Sequence, residues 1–203
     1  MSDTSQSIPS SLVALVGSRI CHDLVSPVGA ILNGVELLEM SGQGETPEIA
    51  LIRESVENAN ARIRFFRIAF GAASKEQRIG APEASETLAI LEKSGRLKYR
   101  WQSEADLSRE EVRLIFLLLL CFESAMPLGG SVSVVQRDGG WRIEAEAKKL
   151  KYDTALWSSL AAPKGIMDIP ASQVQFALLP GLIRESGRRL HLEHTETRIR
   201  ALL

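Results

Sequence analysis

One stretch of this chain predicts its first structural element, namely Ser18-Arg-Ile-Cys-His-Asp-Leu-Val-Ser-Pro-Val-Gly-Ala-Ile-Leu-Asn-Gly-Val-Glu-Leu-Leu38. Apolar residues in and just before it recur at the helical period and form one stripe, which consists of Leu12, Val16, Ile20, Leu24, Ile31, Val35 and Leu38. The stripe predicts an amphipathic helix whose apolar side faces a core. His22 falls on the opposite side of this helix.

The neighbours of His22 in the predicted helix are small or polar. Those within two turns are Ser18, Arg19, Ser26 and Gly29. They leave the imidazole accessible to a partner. Pro27 removes the helix hydrogen bond to the carbonyl of Asp23 and tends to kink the axis. The sequence therefore predicts a shaped site around an exposed histidine.

The residues around His22 resemble the phospho-acceptor box of sensor histidine kinases, whose familiar form is His-Glu-Leu-Arg-Thr-Pro. Here the box is His22-Asp-Leu-Val-Ser-Pro27, continued by Val-Gly-Ala-Ile31. With Cys21 before it and Asn33-Gly-Val-Glu-Leu-Leu38 after it, the segment is similar to the ChpT-type histidine phosphotransferases of alphaproteobacteria.

This resemblance implies that His22 takes a phosphoryl group from an aspartyl phosphate on one receiver domain and returns it to the aspartate of another. It implies an upstream receiver from a hybrid histidine kinase of the CckA type, and CtrA-like and CpdR-like response regulators downstream. The receiver would bring Mg²⁺, so this chain is expected to bind no cofactor and no metal of its own. A neutral imidazole, with a pKa of about 6.5, suits such reversible transfer.

The composition excludes several classes of function. A chain of 203 residues with 45% hydrophobic content is long enough for buried cores, and its net charge of −1 gives no general attraction to nucleic acid or to anionic membranes. No segment is apolar over enough residues to span a bilayer, so a cytoplasmic protein is expected. Cys21 and Cys121 form no metal or disulfide pattern, and His191 and His194 point to opposite faces of a predicted strand.

A second long helix is predicted after a short loop. The first helix is expected from about Pro9 to Met40, and Thr46, Pro47 and Glu48 are typical of a helix start. The apolar residues of the second helix are Ile49, Ile52, Val56, Ala59, Ile63, Phe66 and Phe70. Such helices must lie antiparallel, and a lone hairpin cannot cover its own apolar faces. We therefore predict a homodimer with a four-helix bundle, over residues 8–78.

From Pro82 onward the pattern changes to a second domain, expected over residues 82–203. Its predicted helices are Pro82–Ser94, a helix to Ala125 opened by the capping-box spacing of Ser108 and Glu111, and Ser172–Ser186 stopped by Gly187. Its predicted strands are Lys98–Ser103, 131–137, 141–147, Arg189–Glu196 and Arg198–Leu203, with a hairpin turn at Asp138-Gly139-Gly140. The fold class is α+β.

The second domain resembles the ATP-binding domain of histidine kinases, without the residues that bind nucleotide. In that family two asparagines four residues apart line the site, and the matching positions here are Leu120 and Ser124. Leucine can bind neither metal nor phosphate. No Asp-x-Gly-x-Gly follows the hairpin. The resemblance implies an ATPase-like α/β sandwich that lacks the nucleotide boxes, so neither ATP binding nor autokinase activity is expected.

Further candidate residues surround His22. Asp23 could orient the imidazole or accept hydrogen bonds near Pro27. His22 lies 18 residues before Met40, and the same count from Pro47 reaches Phe65. Three cations lie near that level, namely Arg62, Arg64 and Arg67. They either attract a receiver or form a solvated face of the helix. Asn33 and Glu36 form a docking rim or plain helix surface.

The expected activity is that of a histidine phosphotransferase in a two-component phosphorelay. Two other hypotheses stay open. A divergent active histidine kinase would show magnesium-dependent ATP binding. A non-catalytic receiver-binding dimerisation module would keep signalling after His22→Ala.

Overall fold

The computed structural model describes the backbone of residues 10–38, 40, 46–74, 76–103, 106–137, 139–161 and 169–203. Within the first helix, the side chains of residues 10–16, 18–20, 22, 23, 26 and 27 lie outside the described part. The chain divides into two compact units, Met1–Ala73 and Ser74–Leu203.

The first unit is a pair of long helices, α1 (Ser10–Leu38) and α2 (Pro47–Ala69). Thr46 caps α2, because its hydroxyl oxygen accepts a hydrogen bond from the Ile49 amide at 3.3 Å. Pro47 occupies the first helical position and Glu48 the first turn. The predicted start of α2 is confirmed, while the loop predicted at residues 41–45 lies outside the described residues.

Among the described side chains of the apolar stripe predicted for α1, only Val35 is buried. Leu24, Ile31 and Leu38 are 45%, 51% and 44% exposed, whereas Val35 and Cys21, which lies outside the predicted stripe, are buried. Leu24, Ile31 and Leu38 recur every seven residues, and Cys21 and Val35 lie two such intervals apart, so α1 has one apolar line that is covered and another beside it that is about half exposed. The prediction of a single inward stripe was wrong because one partner helix covers only part of the apolar circumference of α1.

The second helix also departs from a single buried stripe. Ile49 and Val56 are buried as predicted, but Ile52 is 47% exposed and Ala59 is also exposed. Phe65, which lies outside the predicted stripe, is only 1% exposed. A helix that buries two separate faces cannot be described by one periodic stripe, which is why the prediction captured only part of this core.

The second unit is built on a five-stranded sheet with the order β2-β4-β5-β7-β6. The five strands are β2 (Leu97–Gln102), β4 (Gly130–Arg137), β5 (Gly140–Glu146), β6 (His191–His194) and β7 (Arg198–Leu202). Strands β2 and β4 are parallel, and all other neighbours are antiparallel. A separate pair of two-residue strands joins β1 (Arg78–Ile79) to β3 (Leu107–Ser108).

The helices of this unit cover one face of the sheet. They are α3 (Ala81–Ser94), α4 (Arg109–Ala125), α5 (Thr154–Ala161) and α6 (Val174–Glu185), the last preceded by a short 3-10 turn at Ala171–Gln173. Every residue of α4 from Val112 to Phe122 is buried. Buried strand residues that alternate mostly with half-buried ones form the other half of this core, namely Val132, Val134, Ile143, Ala145, Ile199 and Ala201.

Local signals in the sequence explain where these elements begin and turn. The Ser108 hydroxyl accepts a hydrogen bond from the Glu111 amide at 3.2 Å, as the capping spacing predicted. Gly139 has a φ of 75° in the β4–β5 hairpin, and Gly187 has a φ of 70° after α6. The three helices and five strands predicted for this domain are present, with ends shifted by a few residues. Strands β1 and β3 and helix α5 were not predicted.

Candidate functional site around His22

His22 lies in the interior of α1, which is continuous from Ser10 to Leu38. The side chains of Arg19, His22, Asp23 and Ser26 lie outside the described part, so their positions follow from the helix backbone alone. Successive residues are rotated by about 100° around a helix axis. The backbone position of His22 is therefore rotated by that angle from Cys21, which is buried, and lies on the opposite side of the helix from the positions of Leu24, Ile31 and Leu38.

The predicted α1 residues occupy one face of this helix. Alternating steps of three and four residues connect them, which is the spacing of a single helical stripe. We call this set the histidine stripe, and it consists of Arg19, His22, Ser26, Gly29, Asn33 and Glu36. Of its described side chains, Asn33 and Glu36 are exposed, and Gly29 is half-exposed with open space beside it. The helix backbone thus places the predicted residues along one line, whose described members are at least partly exposed.

The packing of the hairpin supports the predicted level of His22. Gly17 lies against Phe70: a Cβ atom added to Gly17 would be 3.0 Å from the Phe70 carbonyl oxygen. Gly17 precedes His22 by five residues, and Phe70 follows Phe65 by five residues. In an antiparallel pair these equal steps place His22 at the height of Phe65 on α2.

Cys21, next to His22 in the sequence, marks the contact between the two helices at this level. Its side chain is 6% exposed. Burial raises the pKa of the Cys21 thiol, while the positive charge of Arg67 acts in the opposite direction. Arg67 is thus close enough to influence the residue that precedes His22.

The three predicted arginines of α2 have different surroundings. The guanidinium of Arg62 lies 5.7 Å from the centre of the Phe66 ring, in the range of a cation–π contact. Arg67 is exposed and acts on Cys21. Arg64 is also exposed. The hairpin therefore places positive charge near the level of His22 on more than one side of α2.

The positions that correspond to the kinase asparagines do not fit a nucleotide site. Leu120 is buried, and its carbonyl accepts a hydrogen bond from the Gln175 side-chain amide at 3.5 Å. The Ser124 hydroxyl donates to the Cys121 carbonyl at 2.6 Å. Leu120 supplies no oxygen ligand for a metal, and α6 packs directly against this part of α4.

An aromatic cluster fills the core beside this position. Trp157 of α5 stacks on Phe122 with ring centres 5.4 Å apart and meets the Phe176 ring edge-on at 5.6 Å. Tyr152 stacks on Trp157 from another side, at 5.3 Å, and its other face carries the ring of His194 at 3.8 Å. His194 therefore has a packing partner. Helix α5, which was not predicted, supplies Trp157.

Two residues of the hairpin were missed as contributors to the site. Gly17 was not singled out, although equal counting from the loop pairs it with Phe70. Cys21 was considered only as a possible metal or disulfide residue, and it is buried at the position next to His22. Both residues can be identified by counting an equal number of residues from the loop along each helix of the antiparallel pair.

The described residues lack two further features, a membrane-spanning helix and a metal-binding group. No helix there combines the length and hydropathy needed to cross a membrane. Likewise, no group of three or more His, Cys, Asp or Glu side chains in that part of the chain is arranged to hold a metal ion.

Comparison with known proteins supports the interpretation of both units. Residues 81–198 match the family described as "Histidine phosphotransferase C-terminal domain". The chain is 36% identical, over 192 residues, to the protein phosphotransferase ChpT of Brucella abortus; the alignment spans 91% of this chain and 90% of that protein.

Solved structures give a consistent result. A structure described as a bacterial phosphotransferase at 1.7 Å is 31% identical to this chain and superimposes with a TM-score of 0.67, over 91% of both chains. The histidine kinase domain of a blue-light-activated kinase from Erythrobacter litoralis is more distant, with 13% identity and a TM-score of 0.43.

Proposed function

The chain belongs to the histidine phosphotransferase family, and from this premise we propose that His22 is the residue that carries the phosphoryl group. The protein is a phosphotransferase of a two-component phosphorelay with an ATPase-like second domain. The observation that carries the assignment to His22 is the histidine stripe. In this stripe His22 shares one face of the helix with Gly29 and with the exposed Asn33 and Glu36, on which a receiver could lie.

The proposed reaction needs only an imidazole nitrogen from this chain. The lone pair of the neutral ring attacks the phosphorus of a receiver aspartyl phosphate, in line with the bond to the carboxylate oxygen. A P–N bond forms as the P–O bond breaks, and the aspartate leaves as a carboxylate. The reverse attack by the aspartate of a second receiver restores His22. We propose that the receiver supplies the Mg²⁺ that neutralises the moving charge, and that this chain holds neither metal nor nucleotide.

We assign secondary roles to the residues around the nucleophile. Asp23 follows His22 by about 100° around the helix. Its carboxylate can therefore orient the imidazole, or stabilise the positive charge that the ring acquires when the P–N bond forms. Arg64 and Arg67, both exposed near this level, would attract a phosphorylated receiver, as would Arg19 on the histidine stripe. Gly29, Asn33 and Glu36 would form the rim along which the receiver docks.

We further propose that the protein is a homodimer with a four-helix bundle. Leu24, Ile31 and Leu38 recur every seven residues and are close to half exposed in a single chain. Ile52, at 47% exposure, and Ala59 give α2 a comparable surface. Seven-residue spacing of apolar side chains is the pattern that packs helices of different chains together. A second copy would cover these residues and leave the histidine stripe outward.

The proposed partners are receiver domains on both sides of the relay. The upstream donor would be the receiver of a hybrid kinase of the CckA type, and the acceptors CtrA-like and CpdR-like response regulators. We place the exchange in the cytoplasm, a reducing compartment that suits the free, buried Cys21 and Cys121. Neither nucleic acid nor a membrane is proposed as a partner.

Two alternatives make different predictions. A histidine kinase activity would require ATP at a position where Leu120 is buried under α6. A receiver-binding dimerisation module would need the bundle but not the imidazole. Label transfer to His22 separates all three.

The decisive experiment follows acid-labile label on the purified protein. One sample receives a phosphorylated receiver with Mg²⁺, and another receives labelled ATP with Mg²⁺. The proposal expects label from the receiver only and none on His22→Gln. His194→Gln is the matched control, since it makes the same change at an exposed histidine of the second unit.

Other outcomes contradict the proposal in distinct ways. Label on wild type from ATP alone would indicate a kinase. Label that persists in His22→Gln would place the phosphoryl group on another residue. No label from either donor, with receiver binding intact, would favour the dimerisation module.

A further inference from the structure

Gly17 stands where α1 passes the C-terminal end of α2. A Cβ atom at this position would be 3.0 Å from the carbonyl oxygen of Phe70 and 3.2 Å from its Cβ. Both atoms belong to or adjoin the backbone, so they cannot swing away as the tip of a long side chain can. Even the smallest side chain at Gly17 would therefore force the two helices apart by a few tenths of an ångström.

The other glycines of α1 are in a different situation. An added Cβ would meet nothing within 4 Å at Gly29 or at Gly34. Glycine in a helix interior is less favourable than alanine wherever a side chain fits. Of the three glycines in α1, Gly17 is the one whose missing side chain allows a helix contact.

The contact at Gly17 connects to both sides of the proposed site. His22 follows Gly17 by less than two turns on the same helix, and the buried Cys21 lies between them. On α2, the Phe70 ring is 5.6 Å from the Phe66 ring, which in turn carries the Arg62 guanidinium at 5.7 Å. A displacement of Phe70 would reach Arg62 through these ring contacts, because packed side chains transmit small shifts.

We propose that Gly17 is a positioning residue for phosphoryl transfer, which by its close contact with Phe70 sets the distance of His22 from α2 and from Arg62. The inference rests on the proposed role of His22. It adds that the rate of transfer depends on the spacing of the two helices and not only on the presence of the imidazole. Misplacing a reacting group by about 1 Å costs on the order of 10²-fold in rate.

The test compares Gly17→Ala with wild type in single-turnover transfer from a phosphorylated receiver. The proposal expects the maximal transfer rate to fall by about threefold to tenfold, scaled from the cost of larger displacements. The receiver concentration that gives half-maximal rate should stay unchanged, because the histidine stripe is intact. Gly17→Val should lower the rate further.

The matched control is Gly181→Ala in α6, where an added Cβ would meet nothing within 4 Å. This variant makes the same change in a helix interior and should transfer at the wild-type rate. Thermal unfolding of each variant, followed by circular dichroism, shows that the rates are measured on folded protein.

The outcomes separate this inference from the proposed function. If Gly17→Ala transfers at the wild-type maximal rate while His22→Gln accepts no label, the positioning role is wrong and the function stands. If only the half-maximal concentration changes, Gly17 acts on docking and the inference is likewise overturned. If His22→Gln still accepts label, the proposed function itself fails.

Discussion

The helical hairpin of the first unit and the α/β sandwich of the second unit bury their apolar residues to different extents. In the sandwich, α4 is buried continuously from Val112 to Phe122 and the sheet covers it within the same chain. In the hairpin, three large apolar residues of α1 stay about half exposed at seven-residue intervals. The unit that contains the proposed nucleophile thus has an incomplete core in a single chain. The unit with the complete core has the buried Leu120 at a position that matches an asparagine of the kinase nucleotide site.

The largest expected effect is on the affinity of the proposed dimer, which would cover the exposed apolar residues of the hairpin. In Leu24→Glu/Ile31→Glu, association would bury unpaired carboxylates. We expect the dimer to weaken by at least about 4 kcal/mol, or on the order of 10³-fold. Analytical ultracentrifugation measures the change. Leu37→Glu is the control, because Leu37 is 66% exposed and lies outside the seven-residue stripe. Equal behaviour of the two variants would contradict the proposed surface.

The next effect tests whether the sandwich depends on its own core. Trp157 is 1% exposed and contacts Phe122, Tyr152 and Phe176 through its ring. We expect Trp157→Ala to lower the free energy of unfolding of this unit by about 3–5 kcal/mol, the usual cost of truncating a large buried side chain. Urea unfolding monitored by circular dichroism measures it. A loss below about 1 kcal/mol would mean that the aromatic cluster contributes little to the sandwich.

A smaller effect concerns a polar contact that closes one end of the sandwich. One oxygen of Glu111 accepts hydrogen bonds from the Arg188 guanidinium at 2.6 Å and from the Trp141 indole at 3.2 Å. Glu111→Ala leaves both donors without this acceptor, and we expect a loss of about 1–3 kcal/mol in urea unfolding. Glu146→Ala is the control, since its ion pair with Arg198 is more than half exposed and should cost less than about 1 kcal/mol. Equal losses would show that burial does not set the difference.

The smallest expected effect concerns a positive charge of the hairpin and its attraction for a receiver. Arg64 is exposed, so its attraction for a receiver acts through water and salt screens it. We expect Arg64→Ala to raise the half-saturating receiver concentration about twofold to fivefold at low salt, and less at high salt. The maximal transfer rate should not change. An effect that persists unchanged at high salt would point to a direct, desolvated contact instead.

Local sequence signals predicted most helices and strands of the sandwich. Ser108 and Glu111 marked the start of α4, and the Asp138-Gly139-Gly140 turn marked the β4–β5 hairpin. These features depend on neighbours in the sequence. The two-residue strands β1 and β3 were missed because their pairing joins Arg78 to Ser108, which no short window contains.

For the hairpin, the sequence predicted how the two helices pair but not which of their apolar residues are buried. Counting from the loop gave the level of His22 correctly, because an antiparallel pair fixes height by residue number, as the contact of Gly17 with Phe70 indicates. The stripe analysis could not tell which apolar residues face the neighbouring helix and which remain exposed. Ile31 and Val35 are equally hydrophobic by pattern, yet one is 51% and the other 5% exposed.

The burial of Leu120 has a consequence for how the protein responds to the metabolic state of its cell. A domain that binds a nucleotide gains stability as the nucleotide concentration rises, because binding favours the folded form. Here the Gln175 amide donates to the Leu120 carbonyl and the rings around Trp157 pack beside it, all from within the chain. If the sandwich binds no nucleotide, as proposed, its folded population would be the same in a starved cell as in a growing one.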